Sequence, residues 1–175
     1  MRRVIFSCAT SLDGYIAGPN GEYDWIVMDP DVDFAAMMAR FDTFLIGRKT
    51  YEAMRSMMGD APAPAGVRNI VFSHTLKAEE HPNIILRDDA ERVVAELRAQ
   101  PGKDIMLFGG GELFRALLAA GLVDTIEVGV IPVLLGGGVP LLPPTSTRTT
   151  LKLRSHRVFE TTGSVSLIYD VVPSA

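Results

Sequence analysis

Short apolar runs closed by turn residues recur along the first two thirds of the chain, with helical spacings between them. Val4 to Thr10, Phe44-Leu45-Ile46 closed by Gly47, Asn69 to Phe72, Asn83 to Leu86 and Ile105 to Phe108 read as strands. Uninterrupted apolar runs of this length suit parallel strands covered on both faces. Between them, Ala90, Val93, Val94 and Leu97 form one helical stripe, with Arg92 and Glu96 on the opposite side. Three more helices are predicted. They are Val32 to Arg40 after Pro30, Lys49 to Met58, and a segment that starts within Gly109-Gly110-Gly111, runs through Ala119 and ends at Gly121. After these the pattern changes, and Ile126 to Val130, Leu151 to Phe159 and Val165 to Val172 read as strands without intervening helices. Leu151, Leu153 and Ser155 alternate with Lys152, Arg154 and His156, as a half-exposed strand requires. Gly59 to Gly66, rich in Pro, Ala and Gly, reads as a surface loop. No break in composition marks a second domain, so residues 1–175 read as one mixed α/β domain.

Composition narrows the class. The 175 residues are 47% apolar and 22% charged, with a formal net charge of −4. That is enough chain to bury a core and too apolar for a disordered protein. The acidic balance argues against a nucleic-acid partner, which would need a basic face. Cys8 stands alone, which excludes an internal disulfide and a Cys-rich metal site, and His81 and His156 show no ligand spacing. No metal is expected. Arg2-Arg3 and the apolar run to Ala9 are too short for a signal peptide, since Asp13 follows soon after. The uncharged run Val128 to Thr147 is broken by prolines and glycines and suits no membrane helix. A cytoplasmic protein without a membrane partner is expected.

Six of the sixteen glycines fall in two triplets, Gly109-Gly110-Gly111 and Gly136-Gly137-Gly138. The first joins a buried strand directly to a helix. Glycine there permits a sharp turn and lets a ligand approach without a Cβ, and the helix start offers free N–H groups to a phosphate. A tight strand-to-helix connection that needs glycine for packing alone explains the triplet equally well. The G-x-G-x-x-G and P-loop patterns are absent. Gly47-Arg48-Lys49-Thr50-Tyr51-Glu52 repeats the arrangement, with two cations where the helix dipole disfavours them unless an anion faces them. A third strand, Ile70-Val71-Phe72, ends in Ser73-His74-Thr75, whose hydroxyls and imidazole suit phosphate or ribose.

In their order and spacing, Gly47 to Glu52, Asn69 to Ser73 and Phe108 to Leu113 resemble the dihydrofolate reductases. The opening Ser11-Leu12-Asp13-Gly14-Tyr15-Ile16-Ala17 and the stretch from Leu122-Val123-Asp124 to Pro140 are similar to a neighbouring branch. That branch holds the reductase domain of the riboflavin-pathway deaminase/reductase and its stand-alone relatives. The resemblance implies a three-layer α/β/α dihydrofolate-reductase-like fold. Its central sheet would be mixed, mostly parallel and of about eight strands, with about four helices.

The resemblance also implies NADPH, a small heterocyclic or carbonyl substrate and a homodimer. Gly47, Arg48, Lys49 and Thr50 would hold the pyrophosphate, and Ser73, His74 and Thr75 the adenosine ribose and its 2′-phosphate. Phe108, Gly109, Gly110, Gly111, Glu112 and Leu113 would wrap the nicotinamide-side phosphates, with Ala9 and Ile16 flanking the nicotinamide. Arg48 is the cation expected to favour NADPH over NADH.

Counted back from Gly47 without a gap, Asp31 falls where dihydrofolate reductases place their substrate carboxylate, which makes it the candidate catalytic acid. A helix over 32–40 would set Phe34 and Ala35 on the same face. Asp31, like Asp29 and Asp33, also suits a helix cap. Asp13 is either a turn residue or a neighbour of the nicotinamide, and Trp25 either lines the substrate side or belongs to the core. The riboflavin-pathway Glu before the glycine pair is absent beside Phe108, and its Asp-x-Pro-x-Leu-x-Arg loop has no counterpart in Gly59 to Asn69. The substrate is therefore unassigned, and a non-catalytic nucleotide-binding or interaction protein on the same fold is the alternative.

Overall fold

Successive residues of an extended strand point to opposite faces, so apolar runs such as Val4-Ile5-Phe6 need cover on both sides. A computed structural model, describing residues 1–59, 62–145 and 148–173, supplies that cover in three layers. The elements are β1 (Val4–Ser11), β2 (Tyr15–Ala17), α1 (Phe34–Met38), β3 (Phe41–Gly47), α2 (Arg48–Met58), β4 (Arg68–Phe72), β5 (Ile85–Arg87), α3 (Ala90–Ala99), β6 (Asp104–Gly109), α4 (Gly111–Ala119), β7 (Thr125–Ile131), β8 (Val139–Pro140), β9 (Leu151–Phe159) and β10 (Ser164–Val171). Eight strands form one sheet in the order β5-β4-β3-β6-β1-β7-β10-β9, and β2 pairs with β8 in a separate ribbon. β1, β3, β4, β5, β6 and β7 run parallel; β10 is antiparallel to both β7 and β9. The mostly parallel α/β sandwich expected above is what forms.

Val4, Phe6, Leu45, Ile70, Ile105 and Leu107 pack against Val93, Val94 and Leu97 of α3 and Leu113, Phe114 and Leu117 of α4. Phe6 and Phe114 stack with ring centroids 3.8 Å apart. The residues between them face the other way. Ile5 and Met106 meet Met38 of α1, and Ile46 and Val71 meet Tyr51 and Met54 of α2. Each such side chain contributes roughly 1.5–3 kcal/mol by leaving water.

The elements differ from those expected in three places. The helix expected over Val32 to Arg40 is one short turn, Phe34–Met38, because Asp33 caps it by accepting from Ala36 N–H at 2.8 Å. Just before the cap, the Asp29 carboxylate and carbonyl take the Asp31 and Val32 amides and hold a turn. The strand expected over Asn83 to Leu86 is Ile85–Arg87, since Ile84 N–H turns back to the His81 carbonyl. The β2–β8 ribbon, whose strands have three and two residues, carries too little pattern to be predicted. The described part of the 59–66 segment is loop, and residues 60 and 61 lie outside the described residues.

The amino edge of the sheet holds a polar knot. Arg2 is 4% exposed and donates to Asp42, to Thr43 Oγ1 (2.9 Å) and to the Lys103 carbonyl (2.5 Å). Asp42 also accepts from Thr43 Oγ1 (2.7 Å) and Lys103 N–H (2.9 Å). This knot joins β1, β3 and the loop before β6, far from the opposite edge where the glycines gather.

Candidate functional site

β3 and β6 are neighbours, yet their connections leave in opposite directions: β3 through α2 to β4, and β6 through α4 to β7. Right-handed crossovers then put α2 and α4 on opposite faces, and a crevice opens at the carboxyl ends of the two strands. Ile46 pairs with Gly109 at that point, so Gly47 and the first glycine triplet meet across it. A β-carbon on Gly47 would sit 3.3 Å from the Gly109 carbonyl oxygen, and one on Gly110 would sit 3.2 Å from Gly47 Cα. Gly109 and Gly110 have φ of 155° and 99°, conformations that favour glycine. Thr50 lines the same point, its Oγ1 3.6 Å from where a Gly109 β-carbon would lie.

Two helices begin here, and neither has a side-chain cap. α2 starts after Gly47 and α4 after Gly110, without a capping hydrogen bond at either N-terminus. Orphan N–H groups and the positive ends of two dipoles therefore converge on one crevice, an arrangement suited to a pyrophosphate. The glycines fit such a group, because the cradle is shaped by backbone at positions where a Cβ would intrude.

The neighbouring strand ends share this edge. Ser73 follows β4, and its Oγ accepts from Thr75 N–H and Leu76 N–H at 3.1 Å, setting a turn that leaves His74 and Thr75 exposed. Ser73 N–H donates to the Arg87 carbonyl at 2.9 Å, which brings the end of β5 alongside. Arg87 was not visible as a site residue in the sequence. Its only signal there is a cation closing a short apolar run, and strand order makes it Ser73's neighbour. Arg48 corrects an argument from sequence: its guanidinium pairs with Glu52 at 2.9 Å one turn along α2, so Glu52 already offsets the cation at the helix start. Lys49 is exposed, Glu112 pairs with Arg115, Leu113 is buried and Phe108 packs on the α1–α2 side of the sheet.

The second triplet belongs to a different construction. The Asp13 carboxylate accepts from Ser11 Oγ (2.7 Å), Leu135 N–H (3.1 Å) and Gly136 N–H (2.7 Å). The Ser11 hydroxyl first, then the two amides, hold that carboxyl below the ordinary range. Asp13 thus ties the turn after β1 to the glycine loop. Ile16 lies in β2, which β8 joins to that loop, and Pro143 lies 3.0 Å from where a Gly111 β-carbon would be.

The substrate-side candidates separate. Asp31 is exposed in the turn before α1, so the shared helical face with Phe34 and Ala35 does not exist. Phe34 is 49% exposed. Trp25 is half-buried, donates to the Glu22 carbonyl at 3.2 Å and is not a core residue. The inward carboxylate is Asp29, 2% exposed, which accepts from Thr162 N–H (3.0 Å) and Thr162 Oγ1 (2.9 Å) in the β9–β10 turn. At the other end of α1, Arg40 grips Glu127 of β7 with two bonds of 2.7 and 3.1 Å. The 29–40 segment therefore crosses the sheet as a strap, fixed at both ends.

The upper fixing is pH-sensitive. The Asp31 amide, aided by both Thr162 donors, keeps the Asp29 carboxyl below its ordinary range despite burial. A depressed carboxyl contributes stability above its unfolded pKa and loses it as pH falls through the folded one. Trp25 emission is expected to change on acidification through that range, and Asp29→Asn to show the altered spectrum already at pH 7. An unchanged Asp29→Asn spectrum would refute the Asp29–Thr162 fixing as the pH-sensitive point.

Among the described residues there is no group of three or more His, Cys, Asp or Glu able to hold a metal, and no helix is long and apolar enough to cross a membrane. The RibD C-terminal domain family profile matches residues 2–165. An uncharacterised protein of Bacillus subtilis strain 168, YyaP, is 35% identical over 96% of this chain and 94% of its own. Among solved structures, a Shewanella sp. PV-4 protein provisionally ascribed to riboflavin biosynthesis superposes with a TM-score of 0.82 at 28% identity, covering 98% of this chain and 99% of that one. Dihydrofolate reductase from Enterococcus faecalis, complexed with NADP(H), superposes at 0.71 with 19% identity over 98% of this chain and 97% of its own, a likeness of fold.

Proposed function

The chain belongs to the RibD C-terminal domain family, and from that premise we propose that it is an NADPH-dependent reductase of a small heterocyclic or carbonyl substrate. One observation carries the proposal: two uncapped helix N-termini converge on a crevice whose glycines leave no room for a Cβ. The related fold of a dihydrofolate reductase complexed with NADP(H) supports it. NADPH, when bound, supplies a hydride.

The chain's own groups bind and orient. Backbone amides of Gly47 to Thr50 and Gly109 to Leu113 hold the pyrophosphate, and Ala9 and Ile16 flank the nicotinamide. Ser73, His74 and Thr75 take the ribose and its 2′-phosphate. Arg48 exchanges Glu52 for that phosphate, and Arg87 adds a second cation. The substrate lies under the 29–40 strap. Asp31 receives no catalytic role, because it faces solvent in a turn. Glu127 is not a proton donor either, since both of its oxygens accept from Arg40. With neither carboxyl assigned as donor, this reading takes the proton that balances the hydride from water. In this reading the protein is a cytoplasmic homodimer, and the dimer is supported by Leu151, Leu153 and Val158 of β9, which are 38%, 49% and 57% exposed.

Titration of the protein with NADPH, followed by cofactor fluorescence, tests the proposal directly. Saturable binding with turnover of a carbonyl or C=N substrate supports a reductase, whereas binding without turnover across such substrates supports a nucleotide-binding protein. Arg48→Ala should weaken NADPH about tenfold, equivalent to roughly 1.4 kcal/mol, and leave NADH little changed. Equal losses for both cofactors would remove Arg48 from the 2′-phosphate role.

A further inference from the structure

Three strands carry small residues at one level on the side of the sheet that the strap crosses. The register pairs Ala9 of β1 with Gly129 of β7, and Gly129 with Ser166 of β10. Side chains of paired residues share a face. Ile126, Val128 and Val130 join the core beneath α3 and α4, so Gly129 faces the opposite way, with Thr125 and Glu127. Above it there is room: a β-carbon on Gly129 would meet no atom within 4 Å, and Ala9, Gly129 and Ser166 are all half-buried.

Nothing in the fold asks for glycine at this position. Its backbone lies outside the left-handed region, it sits inside a seven-residue strand, and no neighbour approaches it. Glycine weakens a strand interior and commonly marks a place where something else comes close. The bare floor also has defined ends. One register step toward the amino edge, Ser7 pairs with Glu127, whose carboxylate is held by Arg40. Across β10, Ser166 pairs with Arg157 of β9, whose guanidinium lies 4.6 Å above the Phe159 ring. Strands lie about 4.8 Å apart, so the floor from Ala9 to Ser166 spans roughly 10 Å. That is the width of a two-ring planar group.

We propose that Gly129 is a specificity-determining residue. Its missing side chain keeps open a slot between Ala9 and Ser166 that admits the flat part of a substrate. The Arg40–Glu127 pair closes the inner end of the slot, and Arg157 meets an oxygen-bearing substituent at the outer rim. The slot is defined by the sheet alone; the proposed reductase activity enters only in making its occupant the substrate.

The test uses lumazine, a fluorescent flat bicyclic dione, titrated into the full-length protein with and without NADPH. Wild type should bind it saturably. Gly129→Val should lose at least tenfold in lumazine affinity while its thermal midpoint is equal or higher, because valine is a good strand former and fills empty space. NADPH affinity should stay within about twofold of wild type, and Gly129→Ala should fall between. Unchanged lumazine affinity in Gly129→Val, absence of saturable binding to wild type, or a large fall in thermal midpoint in Gly129→Val would each overturn the slot. Failure of wild type to bind NADPH while lumazine binds would overturn the reductase reading and leave the slot standing.

Discussion

Gly110→Ala is expected to weaken NADPH binding by about a hundredfold or more and to lower the thermal midpoint by several degrees. Both effects follow from one methyl group. At φ 99° an L side chain is strained, and the new β-carbon would sit 3.2 Å from Gly47 Cα and 3.5 Å from Gly47 N. Neither contact can be relieved by a rotamer, because both partners are backbone. Strain of this kind costs on the order of 1–3 kcal/mol. For a domain of this size, 1 kcal/mol is about 2–4 °C. Relief by pushing β3 and β6 apart would move both helix N-termini out of the crevice, which is why affinity should suffer more than stability. Gly121→Ala is the control. Gly121 ends the same helix with φ 67° and open space around it, so its variant should lose stability and keep NADPH. Isothermal titration beside thermal melts separates the two outcomes, and equal NADPH affinities for both variants would dismiss the cradle.

Asp42→Ala should be the most destabilising single change at the opposite edge. It leaves the Arg2 guanidinium, 4% exposed as a residue, without its carboxylate, and Arg2 already has one buried nitrogen, Nη1, without a partner among the described residues. Removing one member of a buried ion pair strands the other charge, a loss of roughly 3 kcal/mol. That corresponds to about 6–12 °C at this size. Replacing both members, Arg2→Met with Asp42→Ala, should recover part of the loss, because the buried Arg2 charge leaves with its carboxylate. Burial works to raise the Asp42 pKa, but the Thr43 hydroxyl, the Lys103 amide and the Arg2 guanidinium together hold it below the ordinary value. Its contribution is therefore complete above the unfolded-state carboxyl pKa and is lost as pH falls through the depressed one. Urea melts at neutral and acidic pH should show the gap between wild type and Asp42→Ala closing on acidification.

Much of this molecule was readable from its sequence. The runs at Val4, Phe44, Asn69 and Ile105 became parallel strands, because continuous apolar stretches can only be satisfied by cover on two faces. Gly109-Gly110-Gly111 was legible as a strand-to-helix junction, since an apolar run passes through glycines straight into a helical pattern closed by Gly121. Asp33 became a cap, as its position before Phe34 suggests.

Other features depended on strand order, which local pattern does not encode. Nothing in the sequence states that β6 inserts between β3 and β1, and that insertion is what brings Gly47 to Gly110 and makes two weak motifs into one crevice. The acids show the same division. Asp29, Asp31 and Asp33 look interchangeable in sequence, yet only Asp29 meets the Thr162 turn, a partner 133 residues away. Gly129 carries no signal at all in its own strand. It acquires meaning only from Ala9 and Ser166 beside it and from the empty space above. The chain by itself determined the elements, because periodicity and capping are local. Tertiary structure decided which ends meet, because contacts between distant residues depend on the order in which strands join the sheet.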